Sequence, residues 1–173
     1  MRCTVVGAGI SGLSCAIRLL ESGHEVEVVS DRYSPDTVSD VAAAIWYPFL
    51  TAPAHKADGW GRDTYAELER LAKEVPEAGV KMRDGREYLR EVVELPSWKD
   101  DIAAFRVLES DEIPEGYVFG WEFRAPVIEM PLYMPWLKAR AERMGCSFQL
   151  ETVRDLSVSY THLRAHETDS YLV

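Results

Sequence analysis

One stretch limits the folds open to this chain more than any other. Cys3-Thr4-Val5-Val6-Gly7-Ala8-Gly9-Ile10-Ser11-Gly12 begins as a short apolar run, the signature of a buried strand. It breaks into Gly-x-Gly-x-x-Gly and passes into a helical pattern led by Leu13, Ala16, Ile17 and Leu20. Each glycine has its own reason. Gly7 lets the chain turn sharply out of the strand, Gly9 lets backbone N–H groups approach a pyrophosphate, and Gly12 lets the helix lie close to the strand. The helix N-terminus adds unpaired N–H groups and the positive end of its dipole.

Three neighbouring features narrow this reading. Small Ala16 falls on the helix face that must lie against the sheet, and Gly23 closes the helix at a C′ position. His24–Ser30 then reads as a second strand ending in Asp31, 19 residues beyond Gly12. A carboxylate there accepts both ribose hydroxyls of an adenosine and repels a 2′-phosphate, which argues against NADP. The motif describes the start of a dinucleotide-binding βαβ unit and leaves FAD and NAD both open.

Composition excludes several classes. Lys+Arg 19 against Asp+Glu 29 leaves a net charge of −10, unsuited to nucleic acid or to an anionic membrane surface. No apolar run reaches membrane-spanning length. The first strand begins at Arg2 with no charged and apolar leader before it, so no signal peptide is expected and the cytoplasm is the expected compartment. Cys3, Cys15 and Cys146 are odd in number and widely spaced. They read as small buried hydrophobes, and no metal site is expected.

Further along, Tyr33–Asp40 is polar, with turn chemistry at Ser34-Pro35-Asp36. Val41–Leu50 follows as an apolar run whose three successive alanines present a flat backbone surface suited to a planar ring. From Thr51 the pattern changes. Trp60, Tyr65, Leu68, Leu71 and Ala72 predict a helix over Asp63–Val75 with Pro76 as its stop. Val80–Arg83 and Glu87–Arg90 flank Asp84-Gly85, which predicts a hairpin. Tyr117, Phe119, Trp121 and Phe123 alternate on one strand face, read as sheet core in preference to the wall of a substrate cavity. Pro131–Met144 reads as an amphipathic helix ended by Gly145, and Ser147–Leu150 as a strand returning to the first sheet.

Asp31-Arg32-Tyr33-Ser34-Pro35, Thr37, and Asp40-Val41-Ala42-Ala43-Ala44-Ile45-Trp46-x-Pro48 together resemble the N-terminal signature of the D-amino-acid oxidase family. The similarity runs on through Pro96–Asp100, Phe105-Arg106, Gly116-Tyr117-x-x-Gly120-Trp121 and Trp136-Leu137, covering residues 1 to about 156. The resemblance implies FAD as cofactor and oxidation of an amino-acid substrate with release of hydrogen peroxide. It implies that Gly7, Ala8, Gly9, Ile10 and Gly12 cradle the pyrophosphate, and that Asp31 takes the ribose with Arg32 beside the adenosine. Thr37 and Ser39 would offer hydroxyls to the phosphates. Ala43, Ala44 and Ile45 would lie along the flavin, and the backbone at Val153 would meet the adenine. The family usually has Gly where this chain has Ala44, and Tyr47 replaces an amide that some members place near the flavin.

The implied fold class is α/β: an FAD-binding Rossmann-like parallel sheet with an inserted, mainly antiparallel α+β substrate-domain segment. Residues 1–52 and 136–156 are expected to form the first part and 53–135 the second. The family's substrate-clamping arginine, active-site tyrosines and second flavin-binding stretch would lie beyond residue 156, so no catalytic residue is assigned here. Residues 157–173 lack any stable periodicity. Val158–Thr168 resembles a sequencing adapter translated in frame, so a non-native tail is expected and His162 and His166 are rejected as metal ligands. The alternatives are a non-catalytic dinucleotide-binding or adaptor module, a D-aspartate oxidase, or a glycine/sarcosine-type oxidase.

Overall fold

The computed structural model describes residues 1–48 and 53–154. Residues 49–52 and 155–156 of the expected first part and the whole tail from Ser157 lie outside the described residues, as do His162 and His166. Contacts divide the chain into two units, Met1–Asp40 with Leu137–Val173 and Val41–Trp136.

The first unit is a three-stranded parallel sheet ordered β1 (Arg2–Val6), β2 (Glu25–Ser30), β7 (Ser147–Leu150). Pairing in register runs Val5 to Val28 and Val28 to Phe148. Helix α1 (Ile10–Glu21) packs on β1 and β2 through Leu13, Ala16 and Ile17, all of them buried. Burying one such side chain is worth roughly 1.5–3 kcal/mol. The helix stops as Gly23 predicts. The Gly23 N–H donates to the Leu20 carbonyl at 2.9 Å and the His24 N–H to Leu19 at 3.1 Å, a complete Schellman motif. Gly145 and Cys146 repeat it at the end of α3 (Met130–Arg143), donating to Glu142 and Ala141. The expectation of three buried cysteines fails at Cys15, which faces solvent because its place on α1 lies away from the Leu13–Ala16–Ile17 stripe.

The second unit is antiparallel. Strand β6 (Phe119–Ile128) is its centre, with β4 (Val80–Leu89) on one side and the short β3 (Ala44–Ile45) and β5 (Phe105–Val107) on the other. Helix α2 (Ala54–Glu74) packs on β4 and β6, burying Tyr65, Leu68 and Leu71 and ending just before Pro76. It starts nine residues earlier than the Asp63 its apolar spacing predicts.

Two expectations need correction. Ala44 and Ile45 pair with Ile128 and Val127 of the antiparallel sheet, so the change of unit falls at Asp40/Val41 and not after residue 52. The run is too short to hold a place in a sheet alone, and it takes the free edge that β6 offers. The hairpin at Asp84-Gly85 is absent, because β4 runs straight through it as a ten-residue strand paired with β6 at every position from Val80↔Ile128 to Leu89↔Phe119. Cross-strand chemistry decides this. Asp84 lies opposite Arg124 at 2.8 Å and Arg86 opposite Glu122 at 2.7 Å, on one face. On the other face the Phe123 ring covers Gly85, 3.6 Å from where a Cβ would stand.

The alternating aromatic strand forms core, as preferred. Trp121 and Phe123 are buried, Trp98 packs edge-on against Phe123 at 5.6 Å, and Phe105 lies 6.0 Å from Trp121. Tyr117 precedes the strand and is exposed, so it stands outside that core. No helix among the described residues is long and apolar enough to cross a membrane.

Candidate functional site

In the first unit, the turn between β1 and α1 is built as its glycines demand. Gly7 sits at φ 101°, a conformation that L side chains rarely adopt, and its N–H donates to the Val29 carbonyl at 2.8 Å. Gly12 is needed for a different reason. A Cβ there would stand 2.0 Å from the Gly7 carbonyl oxygen, so helix and turn touch through backbone alone. Gly9 is the N-cap of α1 and carries no side chain to bond the first turn. Among the described residues, the Ser11 and Gly12 N–H groups at the helix start meet no backbone acceptor outside the helix.

The polar segment after β2 closes over this turn. Ser39 Oγ accepts from the Ile10 N–H at 3.0 Å, and a Cβ on Gly9 would stand 3.1 Å from the same oxygen. Ser30, buried at the end of β2, accepts from the Ala8 N–H at 3.2 Å and donates to the Arg32 carbonyl at 2.7 Å. Sequence reasoning missed Ser30. The signal available was a polar residue closing an otherwise apolar strand.

Asp31 and Arg32 follow at the strand end, exposed, with Arg32 Nη2 2.8 Å from Asp31 Oδ2. The hydrogen bond from that guanidinium holds the Asp31 carboxyl below its ordinary value. Thr37 is buried, and its hydroxyl donates inward to Asp40 Oδ2 at 2.5 Å. Val153 is half-buried, three residues past the end of β7. The structure thus brings Gly7, Ala8, Gly9, Ile10 and Gly12 together with Ser39 and leaves Asp31 and Arg32 as a pair at the end of β2. A glycine turn, a helix N-terminus, a hydroxyl over them and a carboxylate at the next strand end fit the phosphates and ribose of a dinucleotide.

Ala43, Ala44 and Ile45 belong to the second unit. Ala43 is exposed, whereas Ala44 and Ile45 line an open, mainly apolar cavity of about 480 Å³ with Tyr47, Trp60 and Ile128. The Tyr47 hydroxyl donates to Glu87 Oε2 at 2.6 Å. Burial, and then the Glu87 hydrogen bond and charge, push the Tyr47 hydroxyl well above its ordinary value, so it remains a proton donor across the neutral range. The described residues hold no cluster of three metal-ligating side chains.

A glycine turn at a helix N-terminus with a carboxylate at the end of the next strand is the arrangement of a dinucleotide-binding unit. Comparison with known proteins agrees: a model of the FAD dependent oxidoreductase family matches residues 2–170, and the chain belongs to that family. It is 38% identical over 156 residues to a D-amino-acid oxidase of Rubrobacter xylanophilus, covering 90% of this chain and 48% of that protein. It is 34% identical over 165 residues to a human D-aspartate oxidase, with the same coverage of 90% and 48%. The chain therefore spans about half the length of these curated relatives. Among solved structures, an L-amino acid deaminase from Proteus vulgaris superposes with a TM-score of 0.68 at 17% identity, over 84% of this chain and 43% of that one. A glycine oxidase from Bacillus cereus gives 0.57 at 16%, over 84% and 45%. At those identities the likeness speaks for the fold alone. FAD is the cofactor of the family.

Proposed function

We propose that this chain supplies the nucleotide-binding part of an FAD-dependent oxidase acting on D-amino acids, yielding 2-oxo acids, ammonia and hydrogen peroxide. The observation that carries the reading is the cradle itself, Gly7–Gly12 with Ser39 over the helix start and Asp31 at the end of β2. The choice of D-amino acids leans on the names of its relatives, a D-amino-acid oxidase and a D-aspartate oxidase.

In this reading the first-turn N–H groups of α1 bind the pyrophosphate, and Asp31 accepts the ribose hydroxyls. Ala44 and Ile45 offer a small, flat surface to the isoalloxazine, and Tyr47, fixed by Glu87, stands at the edge of the same cavity. When bound, FAD takes up the hydride lost from the substrate's Cα, so little acid–base help is required of the protein. The work of these residues is to hold, orient and exclude.

Titration of FAD into the chain, followed by flavin fluorescence, tests the cradle. Charge-assisted hydrogen bonds to two hydroxyls are worth about 1.5–3 kcal/mol. Asp31→Ala is therefore expected to weaken FAD about tenfold to a hundredfold. Unchanged affinity would remove Asp31 from the site. A peroxide assay with D-alanine, D-aspartate and glycine tests the substrate class. The 173-residue chain alone is expected to release no peroxide, and robust turnover by it would overturn the assignment of substrate orientation to residues outside it.

A further inference from the structure

We infer that Asp40 is the positioning residue of the nucleotide cradle, a role that rests on the proposed dinucleotide site. The segment between β2 and residue 40 has to be held over the glycine turn for Ser39 to meet the Ile10 N–H. Its first end is tied by Ser30. Its second end is tied by Asp40, whose two carboxylate oxygens are both occupied. Oδ1 accepts from the Ser34 hydroxyl at 2.6 Å, and Oδ2 accepts from the Thr37 hydroxyl at 2.5 Å and the Thr37 N–H at 3.0 Å. The Asp40 N–H in turn donates to the Thr37 carbonyl at 3.1 Å. One side chain therefore closes the loop from residue 34 to residue 40, and the residue beside it is the one that reaches the helix.

The arrangement sorts the two candidate hydroxyls. A hydroxyl has one proton to give, and Thr37 gives its proton to Asp40. Among the described residues Ser39 accepts from Ile10 and donates to no protein group, which leaves its own proton for an anion. Thr37 is thus part of the brace and Ser39 the contact. Partial burial alone would raise the Asp40 carboxyl. The Ser34 and Thr37 hydrogen bonds outweigh that effect and hold it below its ordinary value, which keeps the brace ionised at neutral pH.

The test uses the 173-residue chain with ADP as the phosphate-bearing probe and adenosine as its phosphate-free control. Asp40→Ala is expected to weaken ADP about tenfold or more and to leave adenosine within twofold. Asp40→Asn, which keeps one acceptor for Thr37, is expected to recover most of the loss. Thr37→Val added to Asp40→Ala is expected to cost nothing further, because both remove the same brace. Amide exchange without ligand reads the positioning directly. The Ile10 N–H should exchange at least tenfold faster in Asp40→Ala while Val28, in the centre of the sheet, keeps its rate. Unchanged Ile10 exchange, or equal losses of ADP and adenosine, would overturn the inference while leaving the proposed function standing. Failure of the wild-type chain to bind ADP at all would remove both. If Asp40→Ala does not fold, Asp40→Asn carries the same comparison through its smaller ADP loss and Ile10 exchange.

Discussion

The first unit makes its key approaches with backbone and small polar groups, whereas the second makes them with aromatic rings and paired charges. Around the glycine turn, Gly12 meets Gly7 with no side chain between them, and Ser30 and Ser39 supply single hydroxyls to main-chain N–H groups. In the antiparallel sheet, Trp46, Tyr47, Trp98 and Phe123 touch one another edge-on or tilted, while Arg86, Arg106, Glu112 and Glu122 form a closed ring of ion pairs on an exposed face. Under the proposed function, a site for a phosphate needs bare N–H groups and close approach, and a surface for a flat ring or a small substrate needs bulk and shape. The division of labour explains why substitutions in the two units should fail in different ways.

The largest expected effect separates them most sharply. Gly12→Val places a Cβ where the Gly7 carbonyl already stands, and backbone on both sides leaves no flexible group to yield. A loss of about 4 kcal/mol or more is expected, at the upper end for single substitutions. It should appear as a lowered thermal midpoint and as rapid amide exchange in α1 and β2. Normal stability would show that the backbone contact does not constrain the turn.

Trp98→Ala should be nearly as costly, about 3–5 kcal/mol, because Trp98 is buried among Trp46, Tyr47, Phe105 and Phe123. Here exchange should quicken in β4 and β6. Equal loosening of β1 and β2 would break the distinction between the units.

Tyr47→Phe leaves the half-buried Glu87 carboxylate without its donor and is expected to cost about 1–3 kcal/mol near neutral pH. The sign with pH follows from the raised Tyr47 value. Its contribution is fully present below the ordinary tyrosine range near 10 and is lost as pH rises above that range. Urea melts of both proteins should therefore converge in alkali, and a gap that stays constant would exclude the Tyr47 proton as its source.

Glu112→Gln is the mildest. The Arg106 hydrogen bond, with a backbone bond at Glu109, lowers the Glu112 carboxyl to about 2. Its contribution is present above the ordinary glutamate value of 4.5 and disappears as pH falls toward 2. Because the group is exposed, the effect on the thermal midpoint at neutral pH should be small and should vanish in about 1 M salt. A large, salt-insensitive loss would make the ring of charges a structural centre of the second unit.

Much of the first unit was legible beforehand because its signals are local. Gly7, Gly9 and Gly12 answer to the geometry of one turn, Gly23 and Gly145 to the end of one helix, and Asp31 to its distance from that turn. The family resemblance added Thr37 and Ser39 as phosphate contacts. It could not show that Thr37 turns inward, because that depends on Asp40 three residues away competing for its proton. Ser30 was passed over because its role appears only when β2 is laid beside the glycine turn.

In the second unit the sequence alone determined the aromatic strand and the helix stop at Pro76. Only the tertiary structure decided what became of Asp84-Gly85 and of Ala44-Ile45. Asp-Gly has the composition of a tight turn, but a turn preference is worth little against ten consecutive pairings with β6, two opposite-charge pairs and a ring over the glycine. Two residues of apolar backbone likewise have no sheet of their own, and they join whichever edge lies free to accept their hydrogen bonds. Local rules hold where a residue's partners lie within a turn or two of it along the chain. They give way where the partners come from β6, some 40 to 80 residues on, and the pairing energy is summed over a whole strand.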